Sequence, residues 1–133
     1  MTDNSVGIVI AEDDPEDMEL IVDAILLAEP TAHLHKFTDG LAAYEYLRTR
    51  SDNDLPSLII LDYNMPQLTG AQVLKNISIE KRYGAIPKIV LSTSNAPLHK
   101  HECMHNGATQ YFVKPSSLKD LNDLAKMMVD LRL

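Results

Sequence analysis

A single cysteine in 133 residues leaves no partner for an internal disulfide. No apolar run approaches the roughly 20 residues that a membrane-crossing helix needs, and no charged-then-apolar leader opens the chain. Positive charge is scarce: 12 Lys and Arg stand against 19 Asp and Glu, a net charge of -7. A surface of that sign repels phosphate backbones and argues against a nucleic-acid partner. No internal repeat and no Pro-, Gly- or Ser-rich linker divides the chain. These absences lead to the expectation of one domain over residues 1–133, in the cytoplasm, with no membrane partner. What is present is ordinary: 45% apolar residues suffice for one core, and 23% charged residues for its surface.

The chain is organised around Leu58-Ile59-Ile60-Leu61, an unbroken apolar run that ends in Asp62-Tyr63-Asn64-Met65-Pro66. A short apolar run between turn signals reads as a strand buried on both faces. Asp62 then sits at the carboxyl end of that strand, where open α/β sheets keep their chemistry. The pattern recurs along the chain. Gly7–Ala11 ends in Glu12-Asp13-Asp14, Lys88–Leu91 in Ser92-Thr93-Ser94, and Gln110–Val113 in Lys114-Pro115; His33–Phe37 alternates weakly, as an edge strand does.

Helices fill the gaps. Pro15 opens the first, with Asp14 as its N-cap and Glu16 and Asp17 at the positive end of its dipole. Met18, Leu20, Ile21, Ala24, Ile25, Leu27 and Ala28 give it a broad apolar face, and Pro30 stops it. Further helices are predicted from Gly40 to about Arg50, from Gly70 to Ile79, and from Pro97 to about Asn106, with Gly107 as the last one's C-cap. The final helix follows Ser117, paired with Asp120 as a capping box in which Asp replaces the usual Glu, and buries Leu121, Leu124, Ala125, Met128 and Leu131. Met1–Val6 reads as a polar tail, and residues 51–56 and 81–86 as loops. Five strands alternating with five helices, joined by crossovers long enough for parallel pairing, predict a doubly wound α/β domain.

Parallel strands would carry Glu12, Asp13, Asp62, Ser92 and Lys114 to one edge of the sheet. Clustered carboxylates repel one another unless a cation joins them, and their oxygens suit Mg²⁺. The Lys114 ammonium and the Ser92 hydroxyl could then hold a compact phosphoryl group. Phosphoryl transfer asks mainly for alignment and charge neutralisation, and a carboxylate can itself be the nucleophile. Asp62, on the most buried strand, is the best nucleophile of the set.

Four motifs now stand in order: Ile10-Ala11-Glu12-Asp13-Asp14, Leu61-Asp62-Tyr63-Asn64-Met65-Pro66 with Gly70, Val90-Leu91-Ser92-Thr93, and Tyr111-Phe112-Val113-Lys114-Pro115. Together they resemble the receiver domain of two-component response regulators, in its stand-alone form. The resemblance implies a flavodoxin- or CheY-like (βα)5 sheet with strand order 2-1-3-4-5. It implies Asp62 as phosphoacceptor, and Mg²⁺ (or Mn²⁺) held by Glu12, Asp13, Asp62 and the backbone carbonyl of Asn64. Ser92 and Lys114 would bind the phosphoryl oxygens. Ser92 and Tyr111 would form the switch, Tyr111 turning into space vacated as Ser92 moves, and a cis peptide before Pro115 would aim Lys114. A sensor histidine kinase is the implied donor. The face of the fourth helix, fifth strand and fifth helix is the implied readout, toward a downstream protein, a phosphotransfer protein or a second copy of the chain. With no output domain expected after Leu133, the readout falls to such a partner. The domain is then a signalling phosphoacceptor rather than an enzyme, limited to self-catalysed phosphotransfer and dephosphorylation.

Two departures stand out: Glu12 where Asp is frequent, absorbed if it meets the metal through water, and Ser92 where Thr is common, which keeps the hydroxyl. Simpler readings compete at single positions. Asp14 reads better as a helix cap than as a ligand. Lys114 alone would pass for a surface lysine, and Tyr111 for core packing. His99, His101 and His105 read as a solvated helix face, lacking the second ligand pair of a zinc site, and Cys103 as partly buried. Rival functions fit less well. A haloacid-dehalogenase-type hydrolase needs an acid where Asn64 stands. A flavodoxin-type carrier would find its FMN phosphate repelled by Glu12-Asp13-Asp14. A pseudo-receiver would be expected to lack part of the acid, hydroxyl and lysine set.

Overall fold

Parallel pairing is what the apolar runs demand, and it is what forms. The computed structural model describes residues 7–133, so the expected Met1–Val6 tail lies outside the described residues. The order is β1 (Gly7–Ala11), α1 (Pro15–Ala28), β2 (His33–Phe37), α2 (Gly40–Thr49), β3 (Leu58–Asp62), α3 (Gly70–Ser78), β4 (Lys88–Ser92), α4 (Pro97–His105), β5 (Gln110–Val113) and α5 (Leu118–Asp130). All four strand pairs are parallel, and the sheet order is β2-β1-β3-β4-β5.

Period-two alternation along the central strands divides the core between the two faces of the sheet. Val9, Ala11, Ile59, Leu61 and Val90 face α2, α3 and α4, where they meet Ala43, Leu47, Leu74, Ile77 and Cys103. Ile8, Ile10, Leu58, Ile60, Ile89 and Leu91 face α1 and α5, where they meet Ile21, Ile25, Leu124, Ala125 and Met128. Helix cover on both faces makes β3 and β4 buried at every position. β2 and β5 flank the sheet and stay partly exposed.

Several expectations are corrected. The loops hold short 3-10 turns at Asp52–Asp54 and Lys81–Tyr83. Leu20, Leu27 and Leu131 are exposed rather than core. Each helix has only one face against the sheet, and Leu131 lies past the end of α5. At Ser117 only half a capping box forms: its Oγ accepts the Asp120 N–H at 3.1 Å. The Asp side chain, one methylene shorter than Glu, makes no return bond. The complete box is at α3, where Thr69 Oγ1 accepts the Gln72 N–H at 3.2 Å and Gln72 Oε1 accepts the Thr69 N–H at 2.8 Å.

Lys88 is a further surprise. It opens β4 buried, and its ammonium donates to the carbonyls of Tyr83 at 2.6 Å and Ile86 at 2.9 Å.

Candidate functional site

Register places the acids. β1 and β3 pair through Ala11 and Leu61, so Glu12 and Asp62 leave the sheet side by side at its carboxyl edge. Carboxylate oxygens of Glu12, Asp13 and Asp62 lie within 4.8 Å of one another. Glu12 and Asp62 are 1% and 7% exposed, while Asp13 faces solvent. Asp14 caps α1, its Oδ1 accepting the N–H groups of Glu16 at 2.9 Å and Asp17 at 3.1 Å. The Asp14 N–H in turn donates to Glu12 Oε2 at 3.1 Å, steadying the buried acid.

Crowding shows in the protonation of Asp62. Burial first, then the Glu12 charge and a hydrogen bond shared with it, push its pKa up to about 7, against the pull of Lys114. Glu12 Oε1 is buried and is met at 2.6 Å by the Lys114 ammonium. Carboxylate oxygens crowded together and repelling one another fit a hard divalent cation such as Mg²⁺ or Mn²⁺.

Lys114 lies just past β5 and reaches across the edge. Its Nζ is 2.6 Å from Glu12 Oε1, 2.9 Å from Asp17 Oδ2 and 3.6 Å from Asp62 Oδ1. Burial alone would lower the pKa of this amine, yet hydrogen bonds to Glu12 and Asp17 and the Asp62 charge carry it above the ordinary lysine value. The cis peptide expected before Pro115 is absent, and no peptide among the described residues is cis. Lys114 is aimed instead by its backbone N–H, which donates to the Ser92 carbonyl at 2.7 Å.

Ser92 ends β4 one step beyond the Asp62–Leu91 pair and is fully buried. Its Oγ accepts the Ser94 N–H at 3.0 Å. Tyr111 is inward, with its hydroxyl donating to the Ser94 carbonyl at 2.7 Å. Asn64 is exposed in the loop that follows Asp62. That loop packs tightly against α3: a Cβ on Gly70 would overlap the Asp62 carbonyl, and the Gly70 N–H donates to the Tyr63 carbonyl at 2.9 Å.

Sequence reasoning missed two residues here. Asp17 was read only as a dipole acid, although a helix that starts at the sheet edge sets its first-turn side chains beside the strand ends. His99 was read as part of a solvated helix face and was not placed at the site. Ser94 Oγ and His99 Nδ1 share a 2.7 Å hydrogen bond, and the His99 ring stacks on Tyr63 at 4.3 Å between centroids. The Tyr63 hydroxyl donates to Glu102 Oε1 at 3.0 Å. His101 and His105 stay on the solvated face as expected, and Cys103 is fully rather than partly buried.

With this geometry in view, the comparisons with known proteins converge. The family model described as "Response regulator receiver domain" matches residues 8–126. The two-component response regulator ARR8 of Arabidopsis thaliana is 28% identical over 99% of this chain, which spans 64% of that protein's length. The probable methanogenesis regulatory protein FilR2 of Methanothrix harundinacea is 33% identical over 86% of the chain and 75% of its own length. Among solved structures, the phosphorylated cyanobacterial phytochrome response regulator RcpA superposes with a TM-score of 0.85 at 28% identity, covering 95% of this chain and 92% of RcpA. The Mn²⁺-bound form of response regulator Rcp1 gives 0.80 at 28% identity, covering 92% and 90%. The chain belongs to the response regulator receiver domain family and has its CheY-like fold, which makes it a signalling domain of two-component systems.

Proposed function

We propose that Asp62 is the phosphoacceptor and that a sensor histidine kinase is its donor. One observation carries this reading: the Lys114 amine stands 3.6 Å from Asp62, at the edge where Glu12 and Asp13 crowd the same carboxylate. An Asp62 carboxylate oxygen attacks the phosphorus of a phosphohistidine; the acyl-phosphate bond forms as the P–N bond breaks, and the imidazole leaves with a proton. Lys114 holds a phosphoryl oxygen of the incoming group, and the Ser92 hydroxyl donates to another. Glu12, Asp13, Asp62 and the Asn64 carbonyl would hold Mg²⁺ or Mn²⁺, which supplies neutralising charge. Water attacking the same phosphorus later returns Asp62 to the free carboxylate, so the domain resets itself.

The readout passes through the loop after β4. Ser92 and Ser94 are joined by a hydrogen bond, and Ser94 holds both Tyr111 and His99, so drawing Ser92 toward a phosphoryl oxygen shifts the seat of α4. Exposed Leu98 on α4, Val113 on β5 and Leu118 on α5 support a partner surface on that side, for a downstream protein, a phosphotransfer protein or a second copy of the chain. No helix among the described residues is long and apolar enough to cross a membrane.

The test is direct. Incubated with Mg²⁺ and phosphoramidate, the intact protein gains the mass of one phosphate, labile to alkali, and Asp62→Asn gains none. A phosphate retained by Asp62→Asn, or steady turnover of a phosphate ester, overturns the assignment.

A further inference from the structure

We propose that Asp17 is a positioning residue that competes with the incoming phosphoryl group for the Lys114 amine and so slows charging of Asp62. The inference rests on Asp62 being the phosphoacceptor.

Asp17 belongs to α1, not to a strand end, and lies outside the cluster of three carboxylates. It is not needed as a cap, because Asp14 already accepts both first-turn N–H groups. Among the described residues, its carboxylate has one side-chain partner, Lys114, which donates to Oδ2 at 2.9 Å across 97 positions of sequence. That bond is shorter than the 3.6 Å separating the same amine from Asp62. Lys114 is therefore turned toward Glu12 and Asp17 rather than toward Asp62.

Phosphorylation changes the balance of charge. An acyl phosphate places nearly one further negative charge where a carboxylate stood. Lys114 must then close on a phosphoryl oxygen, and it gives up or stretches its bond to Asp17 to do so. Asp17 is partly exposed, with 35% of its side chain accessible, so the opposing pull is softened by solvent but not abolished. With a cation held by Glu12, Asp13 and Asp62, those acids would have less need of the amine, and Asp17 would be its chief remaining anchor. Neutralising Asp17 frees the amine and removes a charge that repels the donor. Both effects speed phosphorylation.

Four variants compared with wild type decide the matter, each charged with phosphoramidate and Mg²⁺ and followed by intact mass. Asp17→Asn gains phosphate about two- to fivefold faster than wild type, the size a partly exposed ion pair produces. Asp17→Glu, which restores the charge, returns the rate to within about twofold of wild type. Glu16→Gln, which removes a neighbouring exposed charge with no contact to Lys114, leaves the rate unchanged. Asp17→Ser repeats the first result should the asparagine variant fold poorly. An Asp17→Asn rate equal to or below wild type overturns the proposal, as does an equal acceleration in Glu16→Gln, which would mark a general effect of surface charge. If the wild type takes up no phosphate, the phosphoacceptor reading itself fails; if it charges normally and Asp17→Asn matches it, only this inference fails.

Discussion

Asp62→Asn should make the metal-free protein more stable at neutral pH. The wild-type carboxyl is 7% exposed, beside Glu12, and its pKa stands at about 7 in the fold against 3.8 for the free group. A gap of about 3 units, at about 1.4 kcal/mol each, puts the ceiling of the penalty near 4 kcal/mol. The sign follows from proton binding. Between about pH 4 and pH 7 the folded state keeps a proton on Asp62 that the unfolded chain has released, so raising the pH through that window weakens the fold. Asparagine removes the charge, keeps the shape, and offers an N–H group to Glu12. The advantage of the variant is therefore absent below about pH 4, grows to pH 7 and is complete above it. For a domain of this size, 4 kcal/mol corresponds to a rise in Tm of about 14 °C. Thermal melts in EDTA at a series of pH values measure it, and a second series with excess Mg²⁺ checks the cause. The cation should raise the wild-type Tm by a comparable amount and that of Asp62→Asn by far less. A variant no more stable than wild type at pH 7.5 in EDTA, or an advantage that persists unchanged at pH 4, refutes the reasoning.

Three further variants test the frame around the site. Gly70→Ala forces a Cβ into the Asp62 carbonyl and should cost about 3 kcal/mol or more, read by denaturant melts, while also slowing phosphate uptake because the acceptor residue is displaced. Thr69→Ala removes the α3 capping box and should cost about 1 kcal/mol with phosphate uptake preserved, a split that separates stability from site geometry. Lys88→Met fills the same space but strands the Tyr83 and Ile86 carbonyls; a loss of about 2 kcal/mol is expected, and a neutral result would mean that water replaces the amine.

The fold was legible because the signal is coarse. Runs such as Ile8–Ala11 and Leu58–Leu61 must be buried on both faces, and only a parallel sheet covered by helices on each side does that. Strand direction alone then gathers Glu12, Asp62, Ser92 and Lys114 at one edge, so their meeting could be read without any contact being known. What escaped depends on reach rather than pattern. Asp120 was too short to close a capping box, whereas Gln72 was long enough. Lys88 looks like a solvated strand opening until two loop carbonyls are found to surround it. His99 differs from His101 and His105 only in which side of α4 it faces, and nothing in its neighbours announces the Tyr63 ring beneath it.

The division of the apolar interior by the sheet has an evolutionary consequence. Side chains under α1 and α5 form one cluster, and those under α2, α3 and α4 form the other, with an unbroken wall of strands between them. A repacking on one side can be absorbed without disturbing its neighbour across the wall. α1, which carries Asp17, and α5 can drift while α4 keeps its packing, and the reverse holds as well. Such insulation allows the two sides of the sheet to diversify on separate schedules within one small chain.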